Sequence, residues 1–376
     1  GAGGVRFCTD IVLVIGGQMP QRELLAATTQ QLASLPAWVR QRNQSATYPR
    51  AFMEAAVESG ASREQLLAIA GVASEQIDDP AGRLSLHETW MMGAAALSLT
   101  GNGSLGFASG DRMPLTAHGN LGYALMCAGS PREAITILER FWHLRGRGAR
   151  LMVSESENRL FMELVMELRA PDALRDMLMS SMLTSMYRGM EFLIPHLPEQ
   201  REIWVYGPAP AGFDRWQSLL PTVRFGMPQA GISLTGDITL LDQPLPTANP
   251  EALSLALAQC ERESALVDDD DDILRRARAA LIPGADGYPS PEALADSLHL
   301  TPRTLRRRLQ EQGYSYQQLL EAARRRDSCQ MLADPDLEIR RIGEALGYGD
   351  PANFTRAFKA WTGLSPREWR KRHAGG

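Results

Sequence analysis

A repeat constrains this chain more than any other feature. Near the C-terminus, LADSLHLTPRTLRRRL (Leu294–Leu309) and IGEALGYGDPANFTRAF (Ile342–Phe358) follow one plan. Pro302 matches Pro351, Leu305 matches Phe354, Arg307 matches Arg356 and Leu309 matches Phe358, each offset by 49 residues. Leu298 and Leu346 are offset by 48, so the second copy has one more residue in its turn. Each copy reads as a helix with a small alanine on its packing face, a tight turn, and a capping Thr or Asp. Proline at the first helical position then opens a second helix. The apolar pairs Leu305/Leu309 and Phe354/Phe358, four apart, share a face and fix each second helix to a core. This is the helix-turn-helix pattern, twice.

The outward face near the N-terminus of such a second helix is the part that meets base edges in the major groove. In the first copy it carries Arg303, Thr304, Arg306 and Arg307. In the second it carries Ala352, Asn353, Thr355 and Arg356, with Lys359 one turn on. Arg pairs bidentately with guanine, Asn with adenine, and short or methyl-bearing side chains meet the thymine methyl. Which contacts fall on bases and which on phosphate stays open. Between the copies, SYQQLLEAARRRDSCQML (Ser315–Leu332) reads as one helix of about 27 Å. That is close to one DNA turn, about 34 Å.

Charge singles out the same region. The net charge is −5, yet Ile273–Gly376 holds 18 Lys+Arg against 12 Asp+Glu, leaving −11 for the remainder. A basic C-terminal third on an acidic body suggests a polyanion-binding module joined to something that does not bind polyanions.

At 376 residues, two or three domains are expected. Residues 20–150 read mainly helical, with Ser62 and Ser130 as N-caps. ARLMVSE and NRLFMELVME form a hairpin around Glu155–Asn158, and the long apolar helix LRDMLMSSMLTSMYRGMEFLI follows. EIWVYG, VRFG and GISLTG are short strands whose pairing the sequence leaves open. LDQPLPTANP is a Pro-rich connector, followed by a helix over Glu251–Leu266. The run Asp268–Asp272 is either a linker or a complement to the N-terminus of the next helix. The expected architecture is an α+β domain over 19–265 and an all-α DNA-binding domain over 266–376. Its helix-turn-helix units cover 290–313 and 338–362, joined by a connecting helix. Gly1–Gln18 is set aside as a vector-derived or disordered start.

Other chemistry finds little support. The four cysteines lie far apart and the six histidines are scattered, so neither disulfide nor metal site is expected, and no cofactor. No apolar run is long enough to span a membrane, and a reducing cytoplasm suits the cysteine usage. GNGSLG at Gly101–Gly106 fits GxGxxG, but a helical segment precedes it and FASGDRMP is not expected to begin a helix, so it reads as a turn. His87 and Glu88 read as exposed polar surface. The methionines of Met177–Met190 read as core, with an adaptable apolar pocket as the alternative. No nucleophile–base–acid set is visible, so no enzyme is expected.

The stretch Ser290–Arg372 resembles the DNA-binding domain of AraC/XylS transcription regulators. The likeness is densest in IRRIGEALGYGDPANFTRAFKAWTGLSPREWRK, at Gly347-Tyr348, Phe354, Arg356-Ala357-Phe358, Gly363 and Ser365-Pro366. It departs slightly at Ala323-Arg324 and Ser328-Cys329. LSLTGNGSLGFASGDRMPLTAHGNLGYALMCAGSPREAITILERFWHL is similar to the arabinose-binding-like regulatory domain of one branch, a name that does not imply arabinose. The resemblance implies a bacterial regulator that binds double-stranded promoter DNA and commonly activates by contacting RNA polymerase, with repression as the other mode. It also implies a small-molecule effector of unknown identity, sensed by the N-terminal domain, with homodimerisation an option there. An apolar fatty acid and an amino-acid-like metabolite both remain open as effector. Two alternatives are an enzyme domain fused to a DNA-binding tail, for which Cys127 is the sole nucleophile to consider, and control by a protein partner.

Overall fold

The computed structural model describes residues 21–145, 148–194, 196, 198–284 and 287–374. The start set aside above, Gly1–Gln18, lies outside them. Among the described residues no helix is long and apolar enough to cross a membrane, and no group of three or more His, Cys, Asp or Glu is set to hold a metal.

The N-terminal region begins with helices α1 (Gln21–Ala33), α2 (Thr47–Glu58), α3 (Arg63–Ala70), α4 (Ser74–Asp78) and α5 (Leu86–Thr100). Strands β1 (Gln44–Ser45) and β2 (Arg83–Leu84) pair antiparallel between them. Helix α5 is apolar nearly all round, and α1, α2 and α3 pack on it, as expected for a helix with no solvent face. Its start is fixed by a capping box: Ser85 Oγ accepts from the Glu88 amide at 3.1 Å, and Glu88 Oε2 accepts from the Ser85 amide at 2.8 Å. Glu88 is therefore buried and ion-paired with Arg42 at 2.6 Å, not the exposed surface residue expected. An apolar environment opposes its charge, and Arg42 and Ser85 together outweigh that and hold its carboxyl below the usual range.

The glycine-rich stretch also differs from expectation. Gly101 ends α5 in the left-handed region (φ 63°), and after a short turn a new helix, α6 (Leu105–Asp111), begins. Gly106 and Gly110 lie one turn apart on it, and a Cβ at either would come within 2.4 Å of the Met177 or Ser181 carbonyl oxygen. The glycines let two helix backbones touch and cradle no phosphate. The contacted helix, α9 (Asp172–Leu193), follows α7 (Gly119–Cys127) and α8 (Pro131–Phe141). Cys127 is the last residue of α7, with no strand-to-helix elbow around it.

Strands β3 (Ala149–Ser156), β4 (Arg159–Met166), β5 (Gln200–Trp204), β6 (Thr222–Arg224) and β7 (Ala230–Thr235) form one sheet in the order β3-β4-β7-β5-β6. All neighbours are antiparallel except β5 and β6. The expected hairpin is present, with Ser156 opposite Arg159. Helix α9 and the sheet share a core that includes Met179, Leu183, Leu160 and Ile232.

Past the Pro-rich stretch, the helix expected over Glu251–Leu266 is longer and joins the two parts without a break. α10 runs from Pro250 to Ala280, with Asn249 as N-cap accepting from the Ala252 amide at 3.0 Å. It passes through the aspartate run as helical backbone, so a flexible linker is not what joins the two parts. Leu253, Ala256 and Cys260 belong to the regulatory core, while Ile273, Leu274 and Ala277 belong to a C-terminal core.

Candidate DNA-binding interface

After α10 the chain is all helical: α11 (Pro291–Ser297), α12 (Pro302–Glu311), α13 (Tyr316–Ala333), α14 (Ile339–Ala345), α15 (Pro351–Thr362) and α16 (Pro366–Ala374). Local chemistry fixes each start. Thr301 Oγ1 accepts from the Thr304 amide at 3.2 Å and Pro302 follows. Asp350 Oδ1 accepts from the Ala352 amide at 2.8 Å and Pro351 follows. Ser315 and Gln318 form a capping box on α13.

Leu305 and Leu309 are buried with Leu294, Ala295, Leu298 and the C-terminal half of α10. Phe354 and Phe358 are buried with Ile342, Leu346, Leu332 and Trp369. In the first unit the small packing residue is Ala295, as expected. In the second it is Gly343, whose place for a Cβ lies 3.3 Å from the Phe354 Cβ, whereas Ala345 is exposed. The turns also differ. His299 is the one non-glycine residue with positive φ among the described residues (58°), and the longer second turn uses Gly347 (φ 82°).

The polar faces point outward. Arg303, Arg306 and Arg307 of α12 are exposed and Thr304 is half-buried beside its cap. Ala352, Asn353, Arg356 and Lys359 of α15 are exposed and Thr355 is half-buried. Neighbours orient some of these side chains: Arg307 pairs with Glu311 at 2.5 Å, Arg356 donates to Asn353, and Thr355 donates to the Pro351 carbonyl at 3.0 Å. Arg308, absent from the residues singled out above, is exposed on α12 as well. Across α13, the Arg324 guanidinium lies 5.8 Å from the Tyr288 ring centre and 5.0 Å from that of Tyr348, tying the two units together.

The RRRD run of α13 also reaches the sheet, which sequence periodicity alone does not reveal. Arg325 pairs with Glu163 of β4, a residue only 3% exposed. Burial works against the charge on Arg325, and the Glu163 carboxylate outweighs it. Glu167, the residue after β4, accepts from Arg278 at 2.7 Å, and Trp369 Nε1 donates to Gln229 at 3.0 Å. Trp38 donates to the Gln312 carbonyl at 3.4 Å. A cleft of about 1020 Å³ opens beside this junction, with Arg169, Arg175, Tyr206 and Arg325 on its wall.

Residues 60–245 match the model of the arabinose-binding domain of AraC transcription regulators, and residues 294–372 match a helix-turn-helix domain model. The ornithine utilization regulator of Pseudomonas aeruginosa is 30% identical across 86% of this chain and 95% of its own. The chain belongs to the AraC/XylS family of transcription regulators. An uncharacterised HTH-type transcriptional regulator of Mycobacterium tuberculosis is 26% identical over the same shares of both chains. Among solved structures, that of the transcriptional regulator CdpR from Pseudomonas aeruginosa covers 82% of this chain and 96% of its own, at 25% identity and a TM-score of 0.39. As a member of this family, the chain is a DNA-binding transcription regulator with an N-terminal regulatory domain.

Proposed function

We propose that α12 and α15 read two successive major-groove segments of promoter DNA through Arg303, Thr304, Arg306, Arg307, Ala352, Asn353, Thr355, Arg356 and Lys359. The observation that carries this is the matched pair of capped, proline-initiated helices, each buried on one face and presenting Arg on the other. Helix α13 has 18 residues, about 27 Å, which suits two reading heads near one DNA turn apart. Residues 266–376 act as the DNA-binding domain and 19–265 as the regulatory domain. The regulatory domain takes a small-molecule effector, which acts by favouring the DNA-competent arrangement over its alternative. Dimerisation through that domain and contact with RNA polymerase complete the reading. Ornithine, named for one relative, is one compound to test on this chain.

The test is recovery of genomic fragments bound by the purified full-length protein, beside Arg307→Ala/Arg356→Ala. Fragments sharing two half-sites about one helical turn apart, lost in the double variant, are the expected result. Fragments without a shared motif, or a double variant that binds as well, would overturn it.

A further inference from the structure

Two donors with no partner meet at one cavity inside the regulatory region. Arg145, just after the turn that ends the α8 segment, has a guanidinium with no carboxylate beside it. It lies 5.3 Å from the Tyr48 ring centre and 5.7 Å from that of Trp142. Its Nε is shut off from solvent and makes no hydrogen bond. Gln44, 6% exposed, lines the same cavity, and its Nε2 is also buried without a partner. A buried donor left unmade costs about 1–3 kcal/mol, more when charged. Two of them on residues that line one cavity point to an acceptor that the chain itself does not supply.

The walls define the rest of that acceptor. Phe52, Trp90, Met166 and Met182 line the cavity beside Gln44, whose volume is about 80 Å³. A second cavity of about 50 Å³ also has Arg145 on its wall, with Leu125, Ile135, Met186 and Met190. Tyr48 lines the first cavity and His118 the second, their Oη and Nδ1 3.4 Å apart, and His118 Nε2 lies 3.1 Å from Ser185 Oγ. Burial and the nearby Arg145 hold His118 well below its ordinary value, so it stays neutral. No acidic side chain is among the described lining residues, and Glu88, beside Thr89 of the wall, is committed to Arg42 and Ser85.

We propose that Arg145 and Gln44 form the carboxylate-binding end of the effector site, and that the effector is a compact monocarboxylate with an apolar tail. This rests on the reading that the regulatory domain binds a small molecule. The carboxylate accepts from Arg145 and Gln44, and the tail fills the space beside α5 and α9. With no acid to receive an ammonium group, amino acids and diamino acids are disfavoured. Cavities smaller than the roughly 150 Å³ that accommodates benzene set a short tail, extended only as far as Met182 and Met186 yield.

The experiment is calorimetric titration of the full-length protein with acetate, butanoate, isovalerate and hexanoate, beside butanamide, L-lysine and inorganic phosphate. At least one of the four-to-six-carbon acids is expected to bind, with butanamide, lysine and phosphate silent. Arg145→Met should weaken binding about 30-fold or more, as for loss of a buried charged partner. Gln44→Leu should weaken it about 5-fold. Arg145→Lys keeps the charge and should fall between wild type and Arg145→Met. Unliganded melting curves and DNA binding show whether each variant is folded. Absence of binding by every acid at about 10 mM, equal binding of phosphate, or unchanged affinity in a folded Arg145→Met would each overturn the proposal. A metabolite extract that shifts DNA binding equally in wild type and Arg145→Met would sink this site and leave the effector reading standing. An extract that shifts neither would count against the effector reading itself.

Discussion

Leu305 and Leu309 hold α12 to a core of leucine, isoleucine and alanine, whereas Phe354 and Phe358 hold α15 against the Trp369 ring of α16. In the second unit the Phe354 and Phe358 centroids are 5.8 Å apart, and Phe358 meets Trp369 edge-on at 6.1 Å. The first core is completed by Ile273, Leu274, Ala277 and Leu281, from α10 and its end, while the second closes on its own helices. One plan is thus stabilised in two ways. The first unit needs the helix that comes from the regulatory region. The second needs its own aromatic residues, and touches that region through Trp369 and Gln229.

The sharpest way to break this comparison is Phe354→Ala, expected to cost about 3–5 kcal/mol because a fully buried ring leaves a cavity. Hydrogen exchange should then show α14–α16 opening while α11 and α12 stay protected. Equal loss of protection in both units would mean that the two cores unfold as one block. Next in size is DNA binding. Arg307→Ala and Arg356→Ala should each weaken affinity for a recovered fragment by about 1–3 kcal/mol, measured by titration at fixed salt. If only one of them matters, one unit alone reads DNA. The salt dependence sharpens this further. Arg306→Ala/Arg307→Ala should flatten the slope of log affinity against log salt by about 2, and Arg356→Ala by about 1. The smallest effect lies in the turns. His299→Gly removes a left-handed non-glycine residue and should raise stability by about 0.5–1 kcal/mol, the strain relieved exceeding the added freedom of the unfolded chain. Gly347→Ala should lower it by about 1 kcal/mol. Denaturant midpoints that move the same way in both would show that the turn conformations are not what separates the units.

The C-terminal units were legible because their signals are local. Proline at the first helical position, a Thr or Asp before it and apolar residues four apart need no distant partner to have meaning. The features missed depend on tertiary contact. Glu88 reads as surface until the Ser85 cap and Arg42 draw it inward. FASGD reads as loop because Gly106 before it and Gly110 within it weaken a helix there, and only the backbone of α9 shows why they stand there. Ala345 has the expected size for the packing face, yet Gly343 sits where Phe354 approaches. Of the methionines of α9, Met177, Met179, Met186 and Met190 are buried core, and Met186 and Met190, with the partly buried Met182, also line cavities. A run of three arginines looks like one charged face, but Arg324 stacks on tyrosines and Arg325 meets a buried carboxylate. The reading-face residues were legible as a set of positions, since periodicity gives their direction. Arg308 is not among them because the 49-residue offset pairs it with Ala357, so the repeat does not mark it as it marks Arg307. Nothing in the sequence around Arg145 or Gln44 marks either as unusual, because an unpartnered donor is defined by what is missing around it in space.

The unbroken backbone of α10 carries a consequence for torsion. A helix advances about 1.5 Å and turns about 100° per residue. Its length therefore sets the angular phase between the regulatory core at one end and the reading heads at the other. One residue added within the aspartate run would swing the DNA-facing surface about a quarter-turn, whereas seven would restore its direction and displace it by about 10 Å. Such a shaft relays twist as well as distance, and its count of residues is as much a specification as their chemistry.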